Sequence, residues 1–291
     1  MEQVHKPVLF EEVISMLHPK RMESYLDLTA GYGGHADGIL GITQNYKDSV
    51  LADRDEWAVK YLKAKYQEVK PKILHQSFYD AALSLLESGM KFDMILADLG
   101  LSSPQLDNSE RGFSFSKDAK LDMRMDRRQD LNAWTVVNKY GVREMADIFV
   151  RYGEEKPKRA EFLARIIAEH RPINNTLELA DLIQSKSAYG KIHPATRVFQ
   201  AIRIEVNAEL WQLQKTLTLL PKLLVPNGRV AIISFHSLED RLVKEAFKAM
   251  SSLGQESPLK IITKKPIVAE KNEIANNPRA RSAKLRVAKK N

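Results

Sequence analysis

Apolar segments of strand length recur along this chain with a helical pattern between each pair, and that alternation restricts its fold more than any other feature. Strand-like stretches fall at 23–28, 49–53, 71–75 and 92–97. Between the second and third, DEWAVKYLKAKYQE (55–68) sets Trp57, Tyr61, Leu62 and Tyr66 at helical spacing behind Asp55, a good N-cap residue. FDMILADLG (92–100) is an apolar run ending in an acid and a glycine, as a strand buried on both faces requires. Repeated strand–helix–strand units build a parallel sheet with helices on both faces. Ligands in that architecture bind at the carboxyl ends of the strands.

The rhythm stops after the fourth strand. From about 128 to 206 the chain reads as consecutive helices, among them EKPKRAEFLARIIAEHR (155–171), TLELADLIQSK (176–186) and HPATRVFQAIRIEVN (193–207), the last with Pro194 at its start. Alternation resumes with a helix at 208–224, a strand at GRVAIISF (228–235), a helix at 238–250 and a strand at LKIITKK (259–265). AKLRVAKK (283–290) is expected to pair as an edge strand. The expectation is one discontinuous α/β domain, 1–127 and 207–291, interrupted by an all-helical insertion at 128–206. A sheet with an inserted lid makes a substrate cleft.

Composition narrows the classes. A chain of 291 residues, 44% hydrophobic, can bury a real core. No run approaches the length of a membrane span, and MEQVHKPVLFEEV carries acids where a signal peptide needs a basic start. The chain has no cysteine, which removes disulfides, zinc–thiolate sites, iron–sulfur clusters and thiol nucleophiles; no metal is expected, and a reducing cytoplasm fits. Charge is unevenly placed. Residues 260–291 hold ten Lys/Arg and two Glu, so they carry the whole net charge of +8. That segment reads either as a disordered, solvated tail or as a phosphate-facing surface calling for a nucleic-acid partner.

Two loops carry the chemistry. LDLTAGYGGH (26–35) runs from a strand through Gly31, Gly33 and Gly34 into a helix, satisfying a loose dinucleotide fingerprint, and Asp53 ends the next strand where ribose hydroxyls are taken. Glycines there let the backbone approach a ligand. This spacing does not separate a nicotinamide cofactor from S-adenosylmethionine, since both present an adenosine ribose. The fourth strand separates them better, because ADLGLSSPQLD (97–107) places Asp98 at the mouth of the cleft, followed by small residues and a proline. An exocyclic amine on cytosine or adenine is a poor nucleophile, its lone pair being delocalised into the ring. Hydrogen-bond acceptors on its N–H groups draw the nitrogen toward tetrahedral geometry and aim it at a methyl donor. Asp98 supplies one acceptor, and Ser102 and Ser103 are both candidates for a second.

DLGLSSPQLDNSERGFSFSKDAKLDMRMD (98–126) resembles the signature of the bacterial small-subunit (16S) ribosomal RNA cytidine N4-methyltransferases. HKPVLFEEV (5–13), GGH (33–35), DRD (53–55), GEE (153–155), HPATRVFQAIRIEVN (193–207), ISFHSLEDR (233–241) and NPRARSAKLRVA (277–288) are similar too, in the same order. The resemblance implies a class I S-adenosylmethionine-dependent methyltransferase, a Rossmann-like sheet whose helical insertion recognises RNA, and a cytidine target in the decoding region of the ribosomal small subunit. It places cofactor contacts on Gly33, Gly34, His35, Asp53, Phe78, Asp98 and Gln105, with Asp53 toward the ribose and Phe78 toward the adenine face.

RNA contacts are expected at Arg111, Arg124, Arg197, Arg203, His236, Arg279 and Arg281. Arg127 and Arg128 also stand beside aromatics and methionines. Pairing of these arginines with Asp118, Asp122 and Asp126 is the alternative, and His236 either meets the target nucleotide or holds its own loop. Two rival functions use parts of the same sequence. A nicotinamide-dependent oxidoreductase would share the glycine turn, and a non-catalytic RNA-binding protein would share the basic terminus.

Overall fold

The computed structural model describes residues 7–186 and 193–291. Elements follow in chain order as α1 (Phe10–Leu17), β1 (Tyr25–Asp27), α2 (Gly34–Thr43), β2 (Val50–Asp53), α3 (Glu56–Lys65), β3 (Lys72–His75), α4 (Phe78–Glu87) and β4 (Phe92–Asp98). Six helices come next: α5 (Ser103–Asp107), α6 (Ala133–Lys139), α7 (Val142–Arg151), α8 (Pro157–Glu169), α9 (Thr176–Ser185) and α10 (Ala195–Asn207). The chain closes with α11 (Glu209–Leu223), β5 (Leu224–Ser234), α12 (Ser237–Met250), β6 (Leu259–Ile261), β7 (Ile267–Val268), α13 (Lys271–Asn276) and β8 (Lys284–Lys290). Two compact units result, one of Met1–Gly100 with Leu210–Asn291, the other of Leu101–Glu209.

The first unit is a single sheet in the order β3-β2-β1-β4-β5-β8-β6, with β7 also paired to β8. Strands β3 to β5 run parallel, and β8 lies antiparallel between β5 and β6. A dinucleotide-binding sheet of order 3-2-1-4-5-6 has no such inserted reversal. The arrangement is the class I Rossmann-like sheet that the resemblance implies.

Alternate residues of each strand face opposite sides. Ile95, Ala97, Val230 and Ile232 join one core with Ala81, Ala82 and Leu85 of α4, Leu213, Leu217 and Leu220 of α11, and Val243 and Phe247 of α12. Met94, Leu96, Ala231 and Ile233 join the other with Val13 and Leu17 of α1, Ala36, Ile39 and Leu40 of α2, and Leu62 of α3. Both faces are covered, which explains the unbroken apolar run in β4.

Three local expectations need correction. Leu62 and Tyr66 are buried, but Trp57 and Tyr61 are 42% and 47% exposed, because Ala58 and Val59 turn inward instead. Asp55 does cap α3, accepting from the Trp57 N–H at 3.0 Å. AKLRVAKK is not an edge strand, since β8 is flanked by β5 and β6 and buries Leu285, Arg286, Val287 and Ala288. Nor is the basic terminus a disordered tail. Arg286 Nε donates to Asp240 Oδ1 at 2.6 Å, Lys284 lies 3.2 Å from the same carboxylate, and Lys290 Nζ donates to the Leu224 carbonyl at 2.7 Å.

The second unit packs its helices around Phe113, Leu121, Met123 and Met125, which contact Ala133, Val136, Phe149 and Ile202 in one core. Asn207 pins the incoming segment: its side chain accepts from the Met125 N–H and donates to the Met123 carbonyl, both at 2.8 Å. Residues 101–127, expected within the sheet domain, therefore pack with the helices. Apolar Phe and Met side chains in RGFSF and LDMRMD find their burial there.

Candidate active site

The chain leaves β1 toward β2 and β3, then crosses back to β4 on the other side of β1. The loops after β1 and β4 therefore part at the carboxyl ends of the strands and open a crevice. Thr29 ties its floor, the hydroxyl oxygen accepting from the Asp98 N–H at 2.6 Å. Sequence reasoning missed Thr29, although its place two residues beyond the strand-ending Asp27 is a signal for it.

The glycine turn closes through the Gly33 N–H on the Ala30 carbonyl at 2.8 Å, with Gly31 at φ 53° and Gly33 at φ 78°. A side chain on Gly34 would meet Pro7 at 2.6 Å, and one on Gly33 the Tyr66 hydroxyl at 3.0 Å. At these two positions the missing side chains make room for the protein's own atoms. Space for a ligand opens at Gly31, where the nearest neighbour of an added Cβ is the Thr29 carbonyl at 3.9 Å. Gly33 is also the N-cap of α2 and offers no side-chain acceptor to the first turn, leaving that helix end to attract a negative group.

Two side chains point to a missing partner. His35, in the first turn of α2, is 6% exposed and stacks on Phe10 with ring centres 6.0 Å apart, yet neither ring nitrogen has a hydrogen-bond partner. Asp98 Oδ2 lies 3.6 Å from His35 Nε2, and Asp98 Oδ1 is buried without a partner. Buried polar atoms are rarely left unpaired, and such a cluster in a crevice marks where a polar ligand would complete the bonding. Asp53 at the end of β2 accepts from the Gly31 N–H at 2.7 Å and from the Asp55 N–H at 2.8 Å. Each of its oxygens keeps a second lone pair for hydroxyl donors. Burial raises its pKa, against the two backbone donors. Asp53 and Asp98 close β2 and β4, the strands on either side of β1, so the crevice favours a cationic, hydroxyl-bearing ligand.

Beneath the crevice, Asp27 is buried and accepts from the Tyr25 hydroxyl at 2.7 Å and the Thr29 N–H at 3.1 Å. Burial pushes its pKa from 3.8 up to about 6. The folded chain thus holds this proton more tightly than the unfolded chain. The cost of ionising is absent below about pH 4, grows between about 4 and 6, and is complete above, so stability falls as pH rises, by on the order of 3 kcal/mol. Asp27→Asn should remove that fall. Urea midpoints at pH 4 and pH 7 for both proteins check it; parallel pH dependence would place the ionisation elsewhere.

The other expected contacts separate clearly. Phe78 opens α4 but sits in the sheet core at 9% exposure. Gln105, in the second unit, is buried, and its Oε1 accepts from the Ser102 N–H at 2.9 Å, closing its own loop. Ser103 begins α5, and its side chain lies outside the described residues, as do His5 and Lys6 of HKPVLFEEV.

Arg111 is 3% exposed and donates to the Arg124 and Met125 carbonyls at 3.0 and 3.1 Å, so it braces a loop instead of facing phosphate. Arg124 pairs with Asp122 at 2.7 Å, Arg128 with Asp126 at 2.6 Å, and Arg203 with both oxygens of Glu209 at 2.9 Å. These guanidiniums answer acids in their own unit. Arg197 is 53% exposed, near Glu155 at 4.0 Å. His236 caps α12, its Nδ1 accepting from the Glu239 N–H at 3.5 Å with Nε2 3.3 Å from Glu239 Oε1, so it holds its own loop. In the 3-10 turn Pro278–Ser282, Arg279 is half-buried and Arg281 exposed. Among the described residues no helix is long and apolar enough to cross a membrane.

The model of the MraW methylase family matches residues 2–291. A ribosomal RNA small subunit methyltransferase H of Nostoc sp. is 49% identical over 291 residues, covering 98% of this chain and 92% of that protein. The protein of the same name from Acidobacterium capsulatum is 42% identical over 297 residues, covering 98% of each. Among solved structures, an rRNA methylase of Streptococcus thermophilus superposes with a TM-score of 0.43 at 8% identity, covering 99% of this chain and 98% of that one.

Proposed function

The chain belongs to the MraW methylase family, and we infer that it transfers a methyl group from S-adenosylmethionine to the exocyclic N4 of a cytidine in small-subunit (16S) ribosomal RNA. The observation that carries the reading is the unpartnered, buried Asp98 Oδ1 beside His35 at the end of β4.

Bound in the crevice, S-adenosylmethionine supplies a methyl on a positively charged sulfur. Asp53 would accept from its ribose hydroxyls, Gly31 would give the backbone close approach, and the α2 terminus with His35 would face its amino-acid end. Phe78 and Gln105 complete the proposed set, Phe78 from the start of α4 and Gln105 through the loop that it closes. Asp98 has a second duty. Its carboxylate accepts from the target amine, drawing the nitrogen lone pair out of conjugation and fixing its direction, with Ser102 or Ser103 as the second acceptor.

Nitrogen needs no covalent help once aligned, whereas methylation at carbon-5 of cytosine needs a thiolate that this chain lacks. A nicotinamide dinucleotide could use the same Asp53 ribose contact, but the Asp98 loop offers acceptors for an amine and no acid for hydride transfer. RNA recognition falls to the helical unit with its exposed Arg197, and to Arg279 and Arg281. The substrate is the RNA within an assembled or assembling subunit, in the cytoplasm.

Calorimetry and product analysis test this directly. S-adenosylmethionine and its demethylated product should bind, NAD should not, and Asp53→Ala should weaken binding by roughly 1–3 kcal/mol by leaving ribose hydroxyls unpaired. Digested product RNA should contain N4-methylcytidine; 5-methylcytidine instead would sink the mechanism.

A further inference from the structure

HKPVLFEEV has no part in the chemistry so far, yet its described residues press on the glycine turn. Pro7 fills the space beside Gly34, and Phe10 both stacks on His35 and occupies the space beside Gly38, where an added Cβ would meet its ring at 2.4 Å. Between them Leu9 is held at φ 54°, ψ 37°, a left-handed conformation that a non-glycine residue rarely adopts. Such strain persists when the surroundings impose it. Here the Leu9 side chain is fully buried, and its N–H donates at 2.7 Å to Glu273 Oε1, from α13 at the far end of the sequence. Val8 and Leu9 share a core with Ala280, Ala283 and Ile274, so the C-terminal segment forms the seat of this strap.

We propose that Glu273 is a positioning residue for the cofactor site: by fixing Leu9 it sets Phe10 against His35 and keeps the imidazole facing the crevice. This role requires His35 to be the cofactor contact proposed above. Its two nitrogens have no hydrogen bond to orient them, so the ring direction depends on Phe10 stacking and on the 3.6 Å approach to Asp98. Losing the Glu273 carboxylate leaves the Leu9 N–H without its acceptor and lets the left-handed turn relax, carrying Phe10 with it.

The test measures S-adenosylhomocysteine affinity by calorimetry, kcat at saturating cofactor, and thermal midpoint, for full-length wild type, Glu273→Ala, Glu273→Gln and His35→Ala. Glu273→Ala should weaken affinity by about tenfold with kcat within about twofold. Glu273→Gln keeps an acceptor for Leu9 and should restore affinity. A role confined to stability would lower the thermal midpoint of Glu273→Ala and leave cofactor affinity untouched, which overturns the proposal. So would Glu273→Gln behaving like Glu273→Ala. If His35→Ala itself leaves affinity unchanged, the placement of the cofactor is what fails.

Discussion

Asp98→Asn should slow methyl transfer by roughly 10²–10³-fold while S-adenosylhomocysteine affinity falls far less. The substitution preserves side-chain volume, and the backbone N–H that anchors the loop to Thr29 at 2.6 Å is unaffected. What changes is one acceptor and the negative charge. Asparagine offers a single carbonyl oxygen, and its amide donates where the target amine also donates. A group that acts on the reacting nitrogen lowers kcat, whereas one that only holds cofactor raises KM. Single-turnover methylation of RNA at saturating cofactor separates the two. Near wild-type turnover in Asp98→Asn would remove the amine-orienting role.

The second large effect is on stability. Asp240→Ala should destabilise the fold by about 3–5 kcal/mol, because it strands the Arg286 guanidinium, 9% exposed, on a strand flanked by β5 and β6. Burial alone would raise the Asp240 pKa, but the hydrogen bonds and charges of Arg286 and Lys284 outweigh it and hold the carboxyl below its usual value. The pair therefore contributes stability above about pH 4 that is lost as pH falls through the lower, folded pKa. Replacing both residues, Asp240→Ala with Arg286→Met, should recover most of the loss, since no buried charge is then left unpaired. Thermal midpoints of the single and double variants decide it. A single variant as stable as wild type would show that Asp240 does not compensate the Arg286 charge. Arg281→Gln, on an exposed turn, should leave the midpoint in place.

Those two residues show where reading from sequence succeeds and where it stops. Asp98 was legible because strand ends and their loops are local: an apolar run, an acid, then small residues and a proline state the chemistry without reference to distant segments. Arg286 was not. Nothing in AKLRVAKK distinguishes a buried arginine from a surface one, since its partner lies 46 residues away on α12. Arg124 and Arg203 have partners close by in sequence, Asp122 and Glu209, and Arg111 is taken by the Arg124 and Met125 carbonyls. A basic side chain is assigned to phosphate or to a neighbouring carboxylate by contacts the linear chain does not display. Trp57 and Tyr61 fit the helical period, but so did Ala58 and Val59, and burial went to the smaller pair that the close sheet–helix packing admits.

The sequence by itself determined the alternation that makes a doubly covered sheet, the glycine turn and acids at its strand ends, and the absence of a thiol. Each follows from periodicity or residue chemistry within a short window. Only the tertiary structure decided that β8 enters the sheet interior, that Gly33 and Gly34 make room for Tyr66 and Pro7, and that Glu273 reaches back across 264 residues to hold Leu9. Those outcomes depend on which buried polar group finds which partner, and that is settled when the chain closes on itself.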